Sequence, residues 1–179
     1  MDSIQSDVLD YFLERSTRVY KDANQYATDL DKSFKSLTHE QQSQFSDQET
    51  DVVIFGGLEG RVDQALSQLH KLYVLAESKA PGVENIYLVT ATSIVMVVER
   101  GSHKFWLPLG QGYFTKNAGI VPLGRPARLH TNGFEWDLKD AELEFGRIIS
   151  TSNYLREKNI EIETSEPVVF SVEFDDLPQ

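Results

Sequence analysis

Apolar residues in the first part of the chain recur with the spacing of amphipathic helices. One run follows Ser6, and a second follows Thr28, with Asp31 three residues later as in a capping box. The third and longest run spans Val62 to Ser78 and ends near Pro81-Gly82. The pattern therefore predicts three helices. Their apolar positions are Val8, Phe12 and Leu13; Leu30, Phe34 and Leu37; and Ala65, Leu66, Leu69, Leu72, Tyr73 and Ala76.

Short runs rich in β-branched residues predict strands. Arg18 to Lys21 is one candidate, and Asp51 to Phe55 is another that leads directly into Gly56-Gly57. From Ile86 onward the helical period ends, and Ile86 to Thr90 with Ile94 to Glu99 predicts a hairpin. Further strands are predicted at Lys104 to Leu107, Gly119 to Pro122, Ala127 to Thr131, Ile160 to Thr164 and Val168 to Phe174.

The change from mixed elements to strands alone predicts the fold class. Strand, turn and helix alternate up to about residue 100, and short strands follow to the end of the chain. We therefore expect an α/β domain at 1–100 and an all-β domain at 101–179, with the boundary near Arg100-Gly101.

Composition narrows the classes of partner. The 179 residues are 40% hydrophobic, which is enough for one good core or two small ones. A formal charge of -11 and a pI near 4.8 oppose nucleic-acid binding, which needs a basic face. The absence of cysteine excludes disulfides and thiolate catalysis. With no signal-like start and no apolar run of ~20 residues, we expect a cytoplasmic protein with neither nucleic-acid nor membrane partners.

The Gly56-Gly57 turn is the first candidate for chemistry. Backbone amides at a turn between a strand and a helix can bind an anion, although a plain tight turn has the same pattern. The turn lacks the Gly-Lys-Ser/Thr ending of a P-loop. Arg61 can fork onto phosphate oxygens, and Asp63 can hold a divalent cation that bridges them. Together these residues favour phosphoryl chemistry.

Polar residues at the strand-to-helix connections form a candidate metal site. Asp2, Gln25, Asp29 and Asp63 all fall where predicted strands lead into helices, and ligands collect at that edge of an open α/β sheet. The alternative is that each aspartate only stabilises the positive end of a helix dipole. The four histidines have no paired metal-ligand spacing, and no Gly-x-Ser-x-Gly segment indicates a hydrolase.

Small polar residues near an aromatic side chain form a third candidate. Thr131 to Trp136 and Ser150 to Asn153 could orient a flat cationic heterocycle stacked on Trp136. The alternatives are that Trp136 lies in the core and that the Ser/Thr run is a turn.

The order of these segments resembles one family. Gly56 to Gln64, Gly-Gly-Leu-Glu-Gly-Arg-Val-Asp-Gln, is similar to the signature of the thiamine pyrophosphokinases. The resemblance covers essentially the whole chain. Other matching segments are Met1 to Ile4, which resembles the end of Gly-Asp-x-Asp-Ser-Ile; Asn24 to Asp29, which resembles Asp-Gln-Asp-x-Thr-Asp; Gly119 to Gly124; Thr131 to Trp136; and Ser150 to Asn153, Ser-Thr-Ser-Asn.

The resemblance implies an activity and a set of roles. The family transfers a pyrophosphoryl group from ATP, its co-substrate, to the hydroxyl of thiamine with Mg²⁺, giving thiamine diphosphate and AMP. It implies a Rossmann-like α/β domain, then a β-sandwich, in a homodimer with the active site between subunits. By similarity, Asp2, Asp29 and Asp63 serve the metal; Gly56, Gly57, Gln25 and Thr28 serve ATP; Asp63, Asp29 and Arg61 are catalytic; and Trp136, Ser150, Ser152 and Asn153 bind thiamine.

The chain also departs from the family pattern. The first aspartate of Asp-x-Asp would precede Met1, so we expect a Rossmann-like domain that lacks its N-terminal part. Asn24 and Tyr26 replace family aspartates, and Glu59 adds a negative charge to the glycine turn. Two hypotheses follow. One is an active thiamine pyrophosphokinase, and the other is a catalytically impaired thiamine-binding relative or fragment that acts as a binding or dimerisation module.

Overall fold

The computed structural model describes residues 4–16, 19, 22–44, 49–78 and 82–175, with side chains in helical residues 38–44 excepted. It divides into two compact units, Met1–Ser46 and Asp47–Gln179. Asp2 lies outside the described residues, as does all but Val19 of the predicted strand at 18–21. Within the described ranges, no helix is both long and apolar enough to cross a membrane.

The described part of the first unit contains two helices, α1 (Ser6–Glu14) and α2 (Asp29–Gln44), and both were predicted. Thr28 caps α2, because its hydroxyl accepts a hydrogen bond from the Asp31 N–H at 3.2 Å. Asp31 in turn accepts a hydrogen bond from the Thr28 N–H at 2.9 Å. The predicted capping box is therefore confirmed, with aspartate in the position that is usually glutamate or glutamine.

The second unit starts with a strand, a helix and a parallel strand. These are β1 (Thr50–Phe55), α3 (Val62–Ser78) and β2 (Val83–Val89). The predicted bounds of α3 are confirmed, and α3 is the longest described helix at 17 residues against 16 in α2. Parallel neighbours require such a crossover, which places the start of α3 beside the carboxyl end of β1.

The remaining strands complete two sheets. A six-stranded sheet has the order β1-β2-β3-β10-β5-β8, and a four-stranded sheet has the order β4-β9-β6-β7. The α/β part is thus followed by a β-sandwich, as predicted. Because β10 pairs with β3, one sheet continues across Arg100-Gly101, and a domain boundary there stays a prediction. The strands are β3 (Ser93–Val98), β4 (Gly101–Trp106), β5 (Phe114–Val121), β6 (Ala127–Asn132), β7 (Ala141–Leu143), β8 (Ser150–Tyr154), β9 (Asn159–Thr164) and β10 (Val168–Phe174).

The six-stranded sheet supplies two cores, one on each face. Val168, Phe170 and Val172 of β10 pack into the core between the sheets, whereas Val169 packs with Leu72 of α3. Successive side chains on a strand point to opposite faces, so one buried strand serves both layers. The result is a layer of helix, a central sheet and a second sheet.

Strands β7 and β8 were not predicted. The interpretation of Ser150 to Asn153 as a turn is wrong, since this run forms most of β8 and pairs with β5 at the sheet edge. One extra residue of β8 lies opposite the step from Ala118 to Ile120, and Ser152 has φ of 54°. A β-bulge of this kind re-aims the side chains of an edge strand.

Candidate functional site

The chain leaves β1 through a turn with left-handed backbone. The φ angles are 84° at Gly56, 105° at Gly57, 61° at Leu58 and 76° at Gly60. The Gly56 N–H donates a 2.8 Å hydrogen bond to the Val89 carbonyl, which fixes the start of the turn to β2. Glycine meets no Cβ penalty in this conformation, so the sequence permits a reversal that few other residues would allow.

Gln68 of α3 packs under this turn. Its side-chain Oε1 accepts a hydrogen bond from the Leu58 N–H at 3.1 Å. A Cβ placed on Gly57 would lie 1.9 Å from the same Oε1 atom. A side chain at position 57 would therefore displace the Gln68 amide, and the φ angle of 105° separately favours glycine there.

Arg61 and Asp63 form a bidentate pair at the start of α3. Arg61 Nε lies 3.1 Å from Asp63 Oδ1, and Nη2 lies 2.6 Å from Oδ2. Both side chains are exposed, at 75% and 62%. The Arg61 hydrogen bonds hold the pKa of the Asp63 carboxyl below its usual range, with further lowering by the main-chain N–H groups of Asp63 and Gln64. The pair presents a cation and an anion to solvent at the carboxyl end of β1.

The side chains at this position could hold Mg²⁺ only together with oxygen atoms of a bound phosphate. Within the described residues, no group of three or more His, Asp or Glu side chains could hold a metal. Mg²⁺ keeps several waters and usually binds one or two carboxylates together with substrate phosphates. The exposed carboxylate of Asp63 suits that mode of binding, and it does not suit an all-protein cage.

A cavity of about 340 Å³ opens beside the glycine turn. Its walls combine an apolar floor with hydroxyl groups from the β2–β3 turn and from β10. Glu59 places a carboxylate at the same cavity. Such a combination can hold a mainly apolar ring with a few polar groups. The lining residues are Gly57, Leu58, Glu59, Leu69, Thr90, Thr92, Ser93, Val95, Val121, Leu123, Val169 and Ser171.

Trp136 is an exposed aromatic platform, so its alternative placement in the core is wrong. The Trp136 side chain is 57% exposed. Its ring centroid lies 5.4 Å from that of Tyr154, with 39° between the planes. Tyr154 thus packs beside the indole, and more than half of the Trp136 side chain stays exposed.

Asn153 holds the main chain of Trp136 through hydrogen bonds of its side-chain amide. It is 3% exposed, and its Oδ1 accepts hydrogen bonds from the main-chain N–H groups of Trp136 at 3.2 Å and Tyr154 at 2.9 Å. Its Nδ2 donates to the Trp136 carbonyl at 3.0 Å and to Ser150 Oγ at 3.4 Å. Ser152 is exposed on the bulge. Asn153 thus positions Trp136, and direct contact of Asn153, Ser150 or Ser152 with a ligand stays a prediction.

The predicted residues of the first unit lie at the start of α2. Gln25, Thr28 and Asp29 are exposed, and Asp29 Oδ1 lies 3.9 Å from Lys32 Nζ. Thr28 serves as the helix cap, which does not depend on any ligand. The roles predicted for these residues stay predictions.

Two residues near the predicted sites escaped the sequence reasoning, namely Gln68 and Tyr154. One signal was present for Gln68. It lies at i, i+4 and i+7 spacing with the buried Leu72 and Leu75, so a polar side chain occupies the buried stripe of α3. For Tyr154 no signal existed, since its contact with Trp136 depends on how β8 pairs.

Comparison with known proteins is consistent with this arrangement. Residues 1–83 match the model of the thiamin pyrophosphokinase catalytic domain, and residues 102–169 match that of the thiamin pyrophosphokinase vitamin B1 binding domain. The chain is 29% identical over 174 residues to thiamine pyrophosphokinase 1 of Arabidopsis thaliana, covering 96% of this chain and 62% of the relative. It is 28% identical over 162 residues to thiamin pyrophosphokinase 1 of Caenorhabditis elegans, covering 90% and 64%. The chain therefore spans less than two thirds of the length of these relatives.

Solved structures show the same fold. A thiamin pyrophosphokinase from Candida albicans superposes with a TM-score of 0.83 at 20% identity, over 97% of this chain and 71% of that one. A thiamine pyrophosphokinase from Bacillus subtilis gives a TM-score of 0.78 at 19% identity, over 99% and 77%.

Fold and site together define the class of protein. The α/β part of the chain carries the glycine turn and the Arg61–Asp63 fork. The β-sandwich that follows carries the exposed Trp136. Both family models match, in the expected order, over most of the chain. The chain belongs to the thiamine pyrophosphokinase family.

Proposed function

We propose that this chain transfers a pyrophosphoryl group from ATP to the hydroxyl of thiamine, giving thiamine diphosphate and AMP. The observation that carries the proposal is the Arg61–Asp63 fork, which follows the glycine turn at the start of α3. This reaction depends mainly on positioning and on charge stabilisation, and a forked guanidinium with an adjacent carboxylate supplies both.

The turn and the fork would hold the phosphates. Arg61 would exchange its contact with Asp63 for phosphate oxygens, and the Gly57 amide would face the same anion. Gly56 would shape the ATP site through its backbone angle, since its N–H donates to the Val89 carbonyl. Asp63, once released, would bind Mg²⁺. The bound ion would neutralise the triphosphate charge. Without a bound cation, the chain would repel the negatively charged ATP, because its formal charge is -11.

Residues of the first unit have roles that rest on the family resemblance alone. Gln25 and Thr28 would contact the ATP phosphates, and Asp2 and Asp29 would contribute to metal binding. Because Thr28 caps α2, its replacement would also affect helix stability, and alanine there does not test the ATP role cleanly.

Thiamine would bind in the β-sandwich part. The exposed indole of Trp136 offers a face to a flat cationic ring. Ser150 and Ser152 would supply hydroxyl contacts, and Asn153 would keep the indole in place through its hydrogen bonds to the Trp136 main chain.

The proposal also covers the oligomeric state and the cellular location of the protein. We propose a cytoplasmic homodimer. Support for an interface comes from large apolar side chains of the β-part that remain exposed, including Trp106 at 62%, Phe145 at 62% and Ile148 at 69%. Exposed apolar groups of this size commonly mark interaction surfaces.

The activity is tested with the purified chain, ATP, thiamine and Mg²⁺. We expect AMP and thiamine diphosphate in equal amounts, and we expect Asp63→Asn to lower kcat/KM by about 100-fold or more. Asp140→Asn is a matched control, since Asp140 forms an exposed pair with Arg128 at 2.8 Å in the sandwich. Thiamine binding without product, at high enzyme concentration, would contradict the proposal and favour the binding module.

A further inference from the structure

The side chain of Gln68 contacts the glycine turn but has no part in the function proposed above. We propose that Gln68 is a positioning residue that holds the Gly57–Leu58 turn in its phosphate-binding shape. The ligand part of this inference rests on the proposed function, whereas the link between Gln68 and the turn does not.

The first support is the hydrogen bond that spans ten residues from helix to turn. Gln68 Oε1 accepts the Leu58 N–H at 3.1 Å in a partly buried position. Leu58 has φ of 61°, a conformation that a branched side chain rarely adopts without restraint. The Leu58 side chain also packs against the cluster between α3 and the sheet. Side-chain packing and the Gln68 hydrogen bond thus restrain Leu58 from two sides.

The second support is steric. A Cβ on Gly57 would lie 1.9 Å from Gln68 Oε1 and 2.7 Å from Gln68 Cδ. The Gln68 amide therefore fills the space that any larger residue at position 57 would need. A comparable Cβ on Gly56 or Gly60 would meet nothing within 4 Å. The close approach is specific to Gly57, which makes Gly57 and Gln68 a matched pair.

The third support is the position of Gln68 on α3. It is half-buried and shares a helix face with Leu72 and Leu75, which are 2% and 4% exposed. Leu72 packs with Leu88 and Val169 of the sheet and so anchors α3. Gln68 therefore connects the turn to a fixed part of the second unit, and Arg61 and Asp63 lie between the two connected points in sequence.

The experiment uses the full chain with Gln68→Leu and with Gln68→Glu. Leucine removes the acceptor at similar size, and glutamate keeps an acceptor but adds a negative charge near the turn. The readouts are the hydrogen-exchange rate of the Leu58 amide, magnesium–pyrophosphate affinity by calorimetry, and thiamine affinity by tryptophan fluorescence. Gln111→Leu is the control, because Gln111 is an exposed glutamine in the connection between β4 and β5.

For Gln68→Leu we expect Leu58 exchange to accelerate about tenfold and pyrophosphate affinity to fall about five- to tenfold, as loss of one hydrogen bond predicts. Thiamine affinity should not change. Gln68→Glu should keep the slow Leu58 exchange, because glutamate still accepts the hydrogen bond. It should nevertheless lower the pyrophosphate affinity, because its negative charge repels the anion. Gln111→Leu should leave all three readouts at the wild-type values.

A double-mutant cycle tests the steric part. Gly57→Ala should weaken pyrophosphate binding more in the native background than in the Gln68→Ala background, since removal of the amide relieves the clash. Equal losses in both backgrounds would contradict the matched pair.

The outcomes separate this inference from the proposed function. If the wild type binds pyrophosphate and Gln68→Leu binds it equally well, the positioning role is overturned and the proposed function is not. No pyrophosphate binding by the wild type would overturn the function and the ligand role together. Leu58 exchange unchanged in Gln68→Leu would overturn the link between Gln68 and the turn whatever the ligand result.

Discussion

Two clusters of the second unit are stabilised in opposite ways. The turn and fork at Gly56 to Asp63 consist of left-handed backbone and an exposed ion pair. The cluster at Trp136 consists of an exposed ring over the buried amide of Asn153, with every polar atom of that amide hydrogen-bonded. The first can exchange its partners without unfolding, because its ions already face water. The second is fixed before any ligand arrives.

The difference matches the demands of the two ligand parts in the proposed function. A phosphate with its metal replaces one ion pair by others, so exposed and weakly held charges suit it. A flat heterocycle gains most from a rigid face, because a rigid side chain loses little entropy on binding. We infer that the burial of Asn153 beside Trp136 and the exposure of Arg61 are both functional properties.

The largest expected effect concerns the buried amide. Asn153→Leu should lower the free energy of unfolding by about 3 kcal/mol, because the main-chain N–H and carbonyl of Trp136 lose their partners in a buried site. Denaturant unfolding measures this change. Thr151→Ala, at an exposed position of the same strand, should remain within about 0.5 kcal/mol of the wild type.

Equal stability of the Asn153→Leu and Thr151→Ala variants would remove the distinction between the two clusters. It would show that Trp136 is held by ring packing on Tyr154 and not by the amide.

A smaller effect concerns the fork. Arg61→Gln should raise the pKa of Asp63 toward its ordinary value, since the Arg61 hydrogen bonds are the largest cause of the lowered pKa. A carboxyl whose folded pKa lies below its unfolded pKa adds stability above the unfolded pKa and loses it as the pH falls through the folded pKa. The variant should therefore lose this acid-side dependence. Titration of the Asp63 carboxyl carbon by nuclear magnetic resonance measures the pKa.

Glu173 provides the internal control for that titration. Its pKa is lowered by hydrogen bonds from Thr115 and Asn117, at 2.7 Å and 2.6 Å. Arg61→Gln should leave it unchanged. A parallel change at Glu173 would mean that the substitution acts through the whole fold and not through the fork.

Much of the fold was predictable, because apolar spacing decides it. The bounds of α3 follow from its periodic stripe, and β10 follows from the buried apolar run Val168 to Phe170, which Val172 and Phe174 continue at every second position. Strand β8 was not predictable in the same way. Its Ser-Thr-Ser-Asn run has no apolar alternation, and its pairing with β5 through a bulge depends on tertiary contacts.

The candidate site divides similarly. Arg61 and Asp63 were selected by residue type and short spacing, and the structure pairs them directly, while their roles stay predictions. Gln68 was missed because its contact with Leu58 requires the helix to approach the turn in space. Asn153 was predicted to contact thiamine, which stays a prediction, but its burial and its hydrogen bonds to the Trp136 main chain could not be predicted from the local sequence.

If the proposed function is right, the two clusters bind the two ends of one molecule, thiamine diphosphate. The most direct test is nuclear magnetic resonance of the labelled chain, following the Leu58 amide and the Trp136 indole N–H. We expect magnesium–pyrophosphate to shift only the Leu58 signal, thiamine to shift only the Trp136 signal, and magnesium–thiamine diphosphate to shift both at one common midpoint. Thiamine diphosphate that shifts only one of the two signals, or shifts them at different midpoints, would contradict the claim.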